Sequence, residues 1–187
     1  MAKQSNLTRV KAVLDGENEG FQNYFSHFFR LLGQERPVLP AILAYQFHLT
    51  ETAHHRALYG MLCRLHGCDT ALARSVIDKQ HMTREKFQEL FGSVAGVAIA
   101  SETRSLLAKA ESNRDKMIHG KTVTDSQMWS AIFALLDYSV DLNNKVWEIA
   151  EFEPFGDMRG STGKKNGAPL DAKTTRWVLK GMGFSIS

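Results

Sequence analysis

A chain of 187 residues, 43% of them hydrophobic and 23% charged, can bury one full core, hardly two, and is not globally disordered. A net charge of +3 and a pI of about 8.9 are compatible with RNA but too mild to demonstrate it. No apolar run approaches the ~20 residues a bilayer span needs, Met1 to Gly16 is polar without a signal-peptide core, and two cysteines, Cys63 and Cys68, make no disulfide framework, so a reducing cytoplasm is the expected location.

Helical periodicity dominates the chain and strand signals are nearly absent. Phe21, Tyr24, Phe25, Phe28, Phe29 and Leu32 recur at spacings of three and four, ending at Gly33. Pro37 and Pro40 open a segment expected to run from Ala41 to His66, stopped by Gly67. A shorter helix is expected from Arg84 to Phe91, with Gly92 and Gly96 as breaks, and a longer one from Val97 to His119. Thr124 and Gln127 have the spacing of a capping box, opening a helix from Asp125 to Glu151 with Trp129, Ile132, Phe133, Leu136, Val140, Val146 and Trp147 on its apolar stripe. Gly156 to Ala168 holds four glycines with Arg159, Lys164 and Lys165 and is expected to be a mobile basic loop. Asp171 then caps a last short helix through Leu179 and Lys180 to Gly181. The expected architecture is an all-α bundle of four to five main helices over 1–155, followed by a basic glycine-rich loop and a short C-terminal helix over 156–187.

At 100° per residue, Thr103, Leu107, Ala110, Arg114 and Ile118 fall on one line of the helix from Val97 to His119. An arginine inside an apolar stripe is desolvated unless it meets an anion, a cavity or a subunit boundary. The bland alternative is a snorkelling arginine, or one paired with a carboxylate such as Glu111. His119, before Gly120, stands where the helix stops, and the negative end of the helix dipole favours its protonated form. Asp115, one turn earlier, is placed to accept a hydrogen bond from the imidazole and orient it. An ordinary capping histidine is the alternative there. Five residues put Arg114 and His119 about 140° apart around the helix, so convergence is easier where two copies meet across a two-fold axis.

The run from Arg114 and Asp115 to His119 resembles the signature of HEPN domains, in which an arginine and a polar residue precede a histidine near the end of a helix in a small all-α bundle. The resemblance covers about two-thirds of the chain, Phe21 to Glu151, but its specific part is six residues long. It implies a metal-independent endoribonuclease, typically a homodimer, often a toxin or antiviral defence effector, with Arg114, Asp115 and His119 as the catalytic positions and no cofactor. The 2′-hydroxyl would attack its neighbouring phosphorus, Arg114 would neutralise the pentacovalent phosphate, and His119 would move protons. Lys116 and Lys121 would hold RNA beside the site. Some toxin members carry a tyrosine two residues after the histidine; Lys121 stands there instead, which puts modification at that position in doubt. A toxin would also need an antitoxin or another regulatory partner protein. A catalytically silent module of the same family, binding RNA, nucleotide or a partner, is the second reading.

A richer histidine cluster runs from His48 to His55. Glu51 and His54 form the Glu-x-x-His fragment of di-iron bundles, but no other glutamate in the chain has a histidine three residues on. A mononuclear metal site from His48, Glu51 and His55 is the third reading; a polar helix face is the bland one. His54, His55 and Arg56 are alternatively expected to touch RNA phosphates. Cys63 and Cys68 lack zinc-ligand spacing, and the segment from Gly160 to Lys165 lacks the preceding strand of a phosphate-binding loop.

Overall fold

The computed structural model describes residues 2–163 and 168–186, so Lys164 and Lys165 of the expected basic loop lie outside the described residues. Among the described residues eight helices follow one another: α1 (Ala2–Asp15), α2 (Glu19–Leu32), α3 (Leu39–His66), α4 (Thr70–Ile77), α5 (Arg84–Ala95), α6 (Ser101–Ile118), α7 (Asp125–Ala150) and α8 (Ala172–Gly181). There is no strand among the described residues. The protein is therefore all-α, with more helices than the four to five main ones and the terminal helix expected. The two additional helices are α1 and α4. No helix is long and apolar enough to cross a membrane among the described residues.

The helices divide into two compact units. The first comprises Met1–Thr50 with Ala100–Leu142, and the second Glu51–Ile99 with Asn143–Ser187. In the first, the three- and four-residue recurrence on α2 turns Phe21, Phe25, Phe28 and Leu32 inward to full burial, each worth about 1.5–3 kcal/mol. Asn18 starts this helix by accepting the Phe21 N–H at 3.1 Å. The early part of α3 adds Ile42, Leu43 and Phe47, α6 adds Thr103, Leu107 and Ala110, and α7 adds Trp129, Ile132, Leu135 and Leu136. The Gln46 side-chain amide donates to the Ile132 carbonyl at 3.1 Å and ties α3 to α7. The capping box forms as its spacing requires: Gln127 N–H donates to Thr124 Oγ1 at 3.2 Å, while Thr124 N–H donates to Gln127 Oε1 at 2.9 Å.

In the second unit, Phe87, Leu90, Phe91 and Val94 of α5 are buried, as are Leu58, Met61 and Leu62 of α3. The backbone at Gly60 approaches the Phe152 ring so closely that a Cβ there would lie 2.3 Å from it. Asn143 Oδ1 accepts the buried Phe155 N–H at 3.1 Å and fixes the turn after α7. Trp147, expected on the apolar stripe of α7, is instead 55% exposed.

Candidate functional site

The row Thr103, Leu107 and Ala110 is buried, but one turn later Arg114 is only half-buried and Ile118 is exposed. The apolar line of α6 thus runs out of the core and into solvent at its C-terminal end. Arg114 sits at that boundary, above the ring of Phe47, with its guanidinium carbon 4.4 Å from the ring centre. It is not enclosed in the stripe as the sequence alone implied. Its Nε and Nη2 each lie 3.3 Å from Asp115 Oδ1. These contacts are long, and an exposed ion pair of this kind contributes about 0–1 kcal/mol. The Asp115 carboxylate is therefore a weakly held partner of the guanidinium, open to exchange for another anion.

The carboxylate of Asp115 takes Arg114, so the expected side-chain bond orienting His119 is not formed. What α6 gives His119 is a backbone position. Its N–H donates to the Asp115 carbonyl at 3.0 Å, and its φ of −84° and ψ of 18° take it out of the helix. Gly120, at φ 69°, turns the chain left-handed. That turn lets Lys121 N–H reach the Lys116 carbonyl at 2.8 Å and Gly120 N–H reach the Met117 carbonyl at 3.1 Å, the paired bonds of a glycine-terminated helix. Lys116, His119 and Lys121 are all exposed around this turn. Cationic groups are favoured here because the C-terminal end of α6 is the negative end of its dipole. The structure gathers Arg114, Asp115, Lys116, His119 and Lys121 at one solvent-facing helix end. Arg114 and His119 still leave the axis about 140° apart.

The other expected RNA contacts belong to the second unit and are occupied differently. His54 is 5% exposed and stacks face to face on Phe87, with ring centres 3.7 Å apart and planes 9° from parallel. Burial, helped by the neighbouring charge of His55, lowers its pKa to about 3, so it is a neutral core ring at pH 7 and does not meet a phosphate. His55 is half-buried, and Arg56 donates through Nη2 to the Gly156 carbonyl at 2.6 Å, pinning the turn after α7. The metal reading fares no better. Among the described residues no group of three or more histidine, cysteine or carboxylate side chains is placed to hold an ion, so His48, Glu51 and His55 do not form a ready site. Cys63 and Cys68 are buried free thiols.

One feature of the first unit has no counterpart in the expectations. An open cleft of about 520 Å³ lies between α1 and the first turns of α7, lined by Arg9, Asp125, Trp129 and Phe133 among others. Trp129 and Phe133 were legible only as core positions, and nothing in the polar N-terminal stretch marked Arg9.

Comparison of the chain with protein-family models, with curated proteins and with solved structures gives no match in any of the three.

Proposed function

We propose that the chain is a HEPN-type, metal-independent endoribonuclease whose reacting groups are Arg114 and His119, working as a homodimer. The observation that carries this reading is the exposed end of α6, where Arg114, Lys116, His119 and Lys121 cluster and Arg114 meets the Asp115 carboxylate through long, exchangeable contacts. A phosphate entering there replaces the long contacts to Asp115 with shorter charge-assisted bonds to the guanidinium. The neighbouring 2′-hydroxyl attacks phosphorus as its proton passes to water, Arg114 offsets the charge on the equatorial oxygens, and His119 in its protonated form delivers a proton to the departing 5′ oxygen. The products are a 2′,3′-cyclic phosphate and a 5′-hydroxyl. DNA lacks the internal nucleophile and survives. Asp115 keeps Arg114 at the surface when no phosphate is present, while Lys116 and Lys121 hold flanking phosphates.

The angular separation of Arg114 and His119 on one helix favours a site completed by a second copy. Ile118, 66% exposed beside Arg114, is the kind of apolar side chain such an interface covers. A toxin-like nuclease of this kind calls for a protein that restrains it. One observation favours the silent-module reading instead: the Phe47 and Asp115 contacts already give Arg114 a structural role. Incubation of a mixed RNA pool with the protein in EDTA separates the two. The nuclease reading predicts cleavage that falls at least ~100-fold in both Arg114→Ala and His119→Ala. The silent module predicts RNA retention without cleavage in the parent chain.

A further inference from the structure

We infer that the cleft between α1 and α7 is a nucleobase-binding site, in which a base bearing an exocyclic amino group stacks on the guanidinium of Arg9. The site lies wholly within the first unit. Its volume of about 520 Å³ is within the ~300–1,000 Å³ usual for small-ligand sites. Its openness to solvent suits a group that continues out of the cleft as sugar and phosphate.

Three features define the ligand. The first is a flat cationic platform. Arg9 is an exposed residue of α1, yet its guanidinium carbon lies 4.1 Å from the centre of the Phe133 ring. Phe133 in turn stacks with Trp129 at 5.8 Å and 29°. The side of the guanidinium away from Phe133 is a platform for a planar, electron-rich ring, since bases stack on arginine planes as they do on aromatic rings. The second is the rim. Asp125 and Ser126 come from the first turn of α7, and Asn6 comes from α1. A carboxylate accepts and never donates, so Asp125 matches an amino group on the ring, while Ser126 and Asn6 both donate and accept. A hydrocarbon ring would leave this rim unmatched, and the cationic platform repels a second cation. The third is position. Asn113, the residue before Arg114, donates to the carbonyl of Gln127 at 3.5 Å, and Gln127 follows Asp125 and Ser126 in the first turn of α7. A strand whose base occupies the cleft therefore has its backbone leaving close to the cationic end of α6. Arg9 is prepared for this role, being held over Phe133 and facing the Asp137 carboxylate, whose pKa burial raises and Arg9 lowers.

The same base chemistry is offered by a free nucleotide or by one residue of an RNA strand. The test is a titration of the ¹⁵N-labelled 187-residue chain with AMP, UMP, inorganic phosphate and a short single-stranded oligoadenylate, followed by NMR. AMP is expected to move the Trp129 indole N–H, the Arg9 Nε–H and the amides of Asn6 and Ser126 saturably, with UMP binding more weakly and phosphate leaving them still. Arg9→Ala is expected to weaken AMP roughly 5- to 100-fold, and Arg9→Lys, which keeps the charge and loses the plane, to weaken it nearly as much. The variants' amide spectra check that the fold is kept. Tighter binding of the oligomer than of AMP identifies RNA as the source; equal binding identifies the free nucleotide. Equal shifts with inorganic phosphate, wild-type affinity in Arg9→Lys, or no shift with AMP would overturn the assignment. The titration reads binding alone, so it succeeds or fails separately from any chemistry at Arg114 and His119.

Discussion

Replacing His54 by phenylalanine should flatten the acid limb of this protein's stability curve. The ring lies 5% exposed on α3, stacked on Phe87, and burial first, then His55, brings its pKa down to about 3. In the unfolded chain an imidazole titrates near 6.5. Between those values the unfolded state takes up a proton that the folded state refuses. Stability is therefore complete above about pH 6.5 and is lost as the pH falls, with the loss levelling off below about pH 3. The linkage relation puts the loss from this one residue at about 2 kcal/mol from pH 7 to pH 5, and about 3 kcal/mol from pH 7 to pH 4. The upper window is the cleaner one, because few carboxylates titrate above pH 5. Phenylalanine keeps a flat ring against Phe87 and removes the titration, so its own effect is an offset that does not vary with pH. Urea unfolding of parent and His54→Phe at pH 7, 6 and 5 should show the parent losing about 2 kcal/mol more than the variant across that range. A difference between the two that is constant with pH would refute the reasoning, as would a folded-state His54 C2–H resonance titrating near 6.5.

Gly60→Ala should be strongly felt. Its Cβ would lie 2.3 Å from a ring atom of Phe152, itself 1% exposed, and such overpacking costs about 1–3 kcal/mol, visible as a Tm lower by roughly 2–12 °C. Asn143→Ala leaves the buried Phe155 N–H without its acceptor and should destabilise by about 1–3 kcal/mol in chemical denaturation. Burial pushes the Cys63 and Cys68 thiols up to about 11, so at pH 8 a disulfide reagent such as DTNB should modify neither in the folded protein and both in guanidinium.

The helices legible in the sequence are those with strong local signals. Phe21 to Leu32 repeats at helical spacing and stops at Gly33; Thr124 and Gln127 announce α7; Gly67, at φ 64°, ends α3. The missed ones lack such signals. Among the residues of α1 whose burial is described only Val10 and Leu14 are buried, within a polar run, and α4 is a helix of 8 residues whose one cue is Asp69 accepting the Leu72 N–H at 2.8 Å. Gly92 was expected to break α5 but lies within it. A mid-helix glycine costs only about 1 kcal/mol, and buried Phe87, Phe91 and Val94 outweigh that. The break falls at Gly96, whose φ of 72° is left-handed, and residues 97–100 are not helical before α6 begins.

The candidate site was legible in its residues but not in its environment. Periodicity placed Arg114 on an apolar row, yet only the packing of neighbouring helices determines where that row leaves the core, and it does so after Ala110. His54 had a sequence signal that its polar neighbours hid. Leu43, Phe47, Thr50, His54, Ala57 and Met61 recur at steps of three and four, and all six are buried. The cleft could not be read, because one of its walls is the unanticipated α1.

Cleavage in EDTA with analysis of the fragment ends tests the proposed activity most directly. Parent protein, Arg114→Ala and His119→Ala are each incubated with single-stranded RNA and with DNA of the same sequence. The account predicts RNA fragments ending in 2′,3′-cyclic phosphate and 5′-hydroxyl from the parent, at least ~100-fold fewer from either variant, and intact DNA. Intact RNA with the parent, or fragments unchanged in amount when Arg114 and His119 are each replaced, would contradict it.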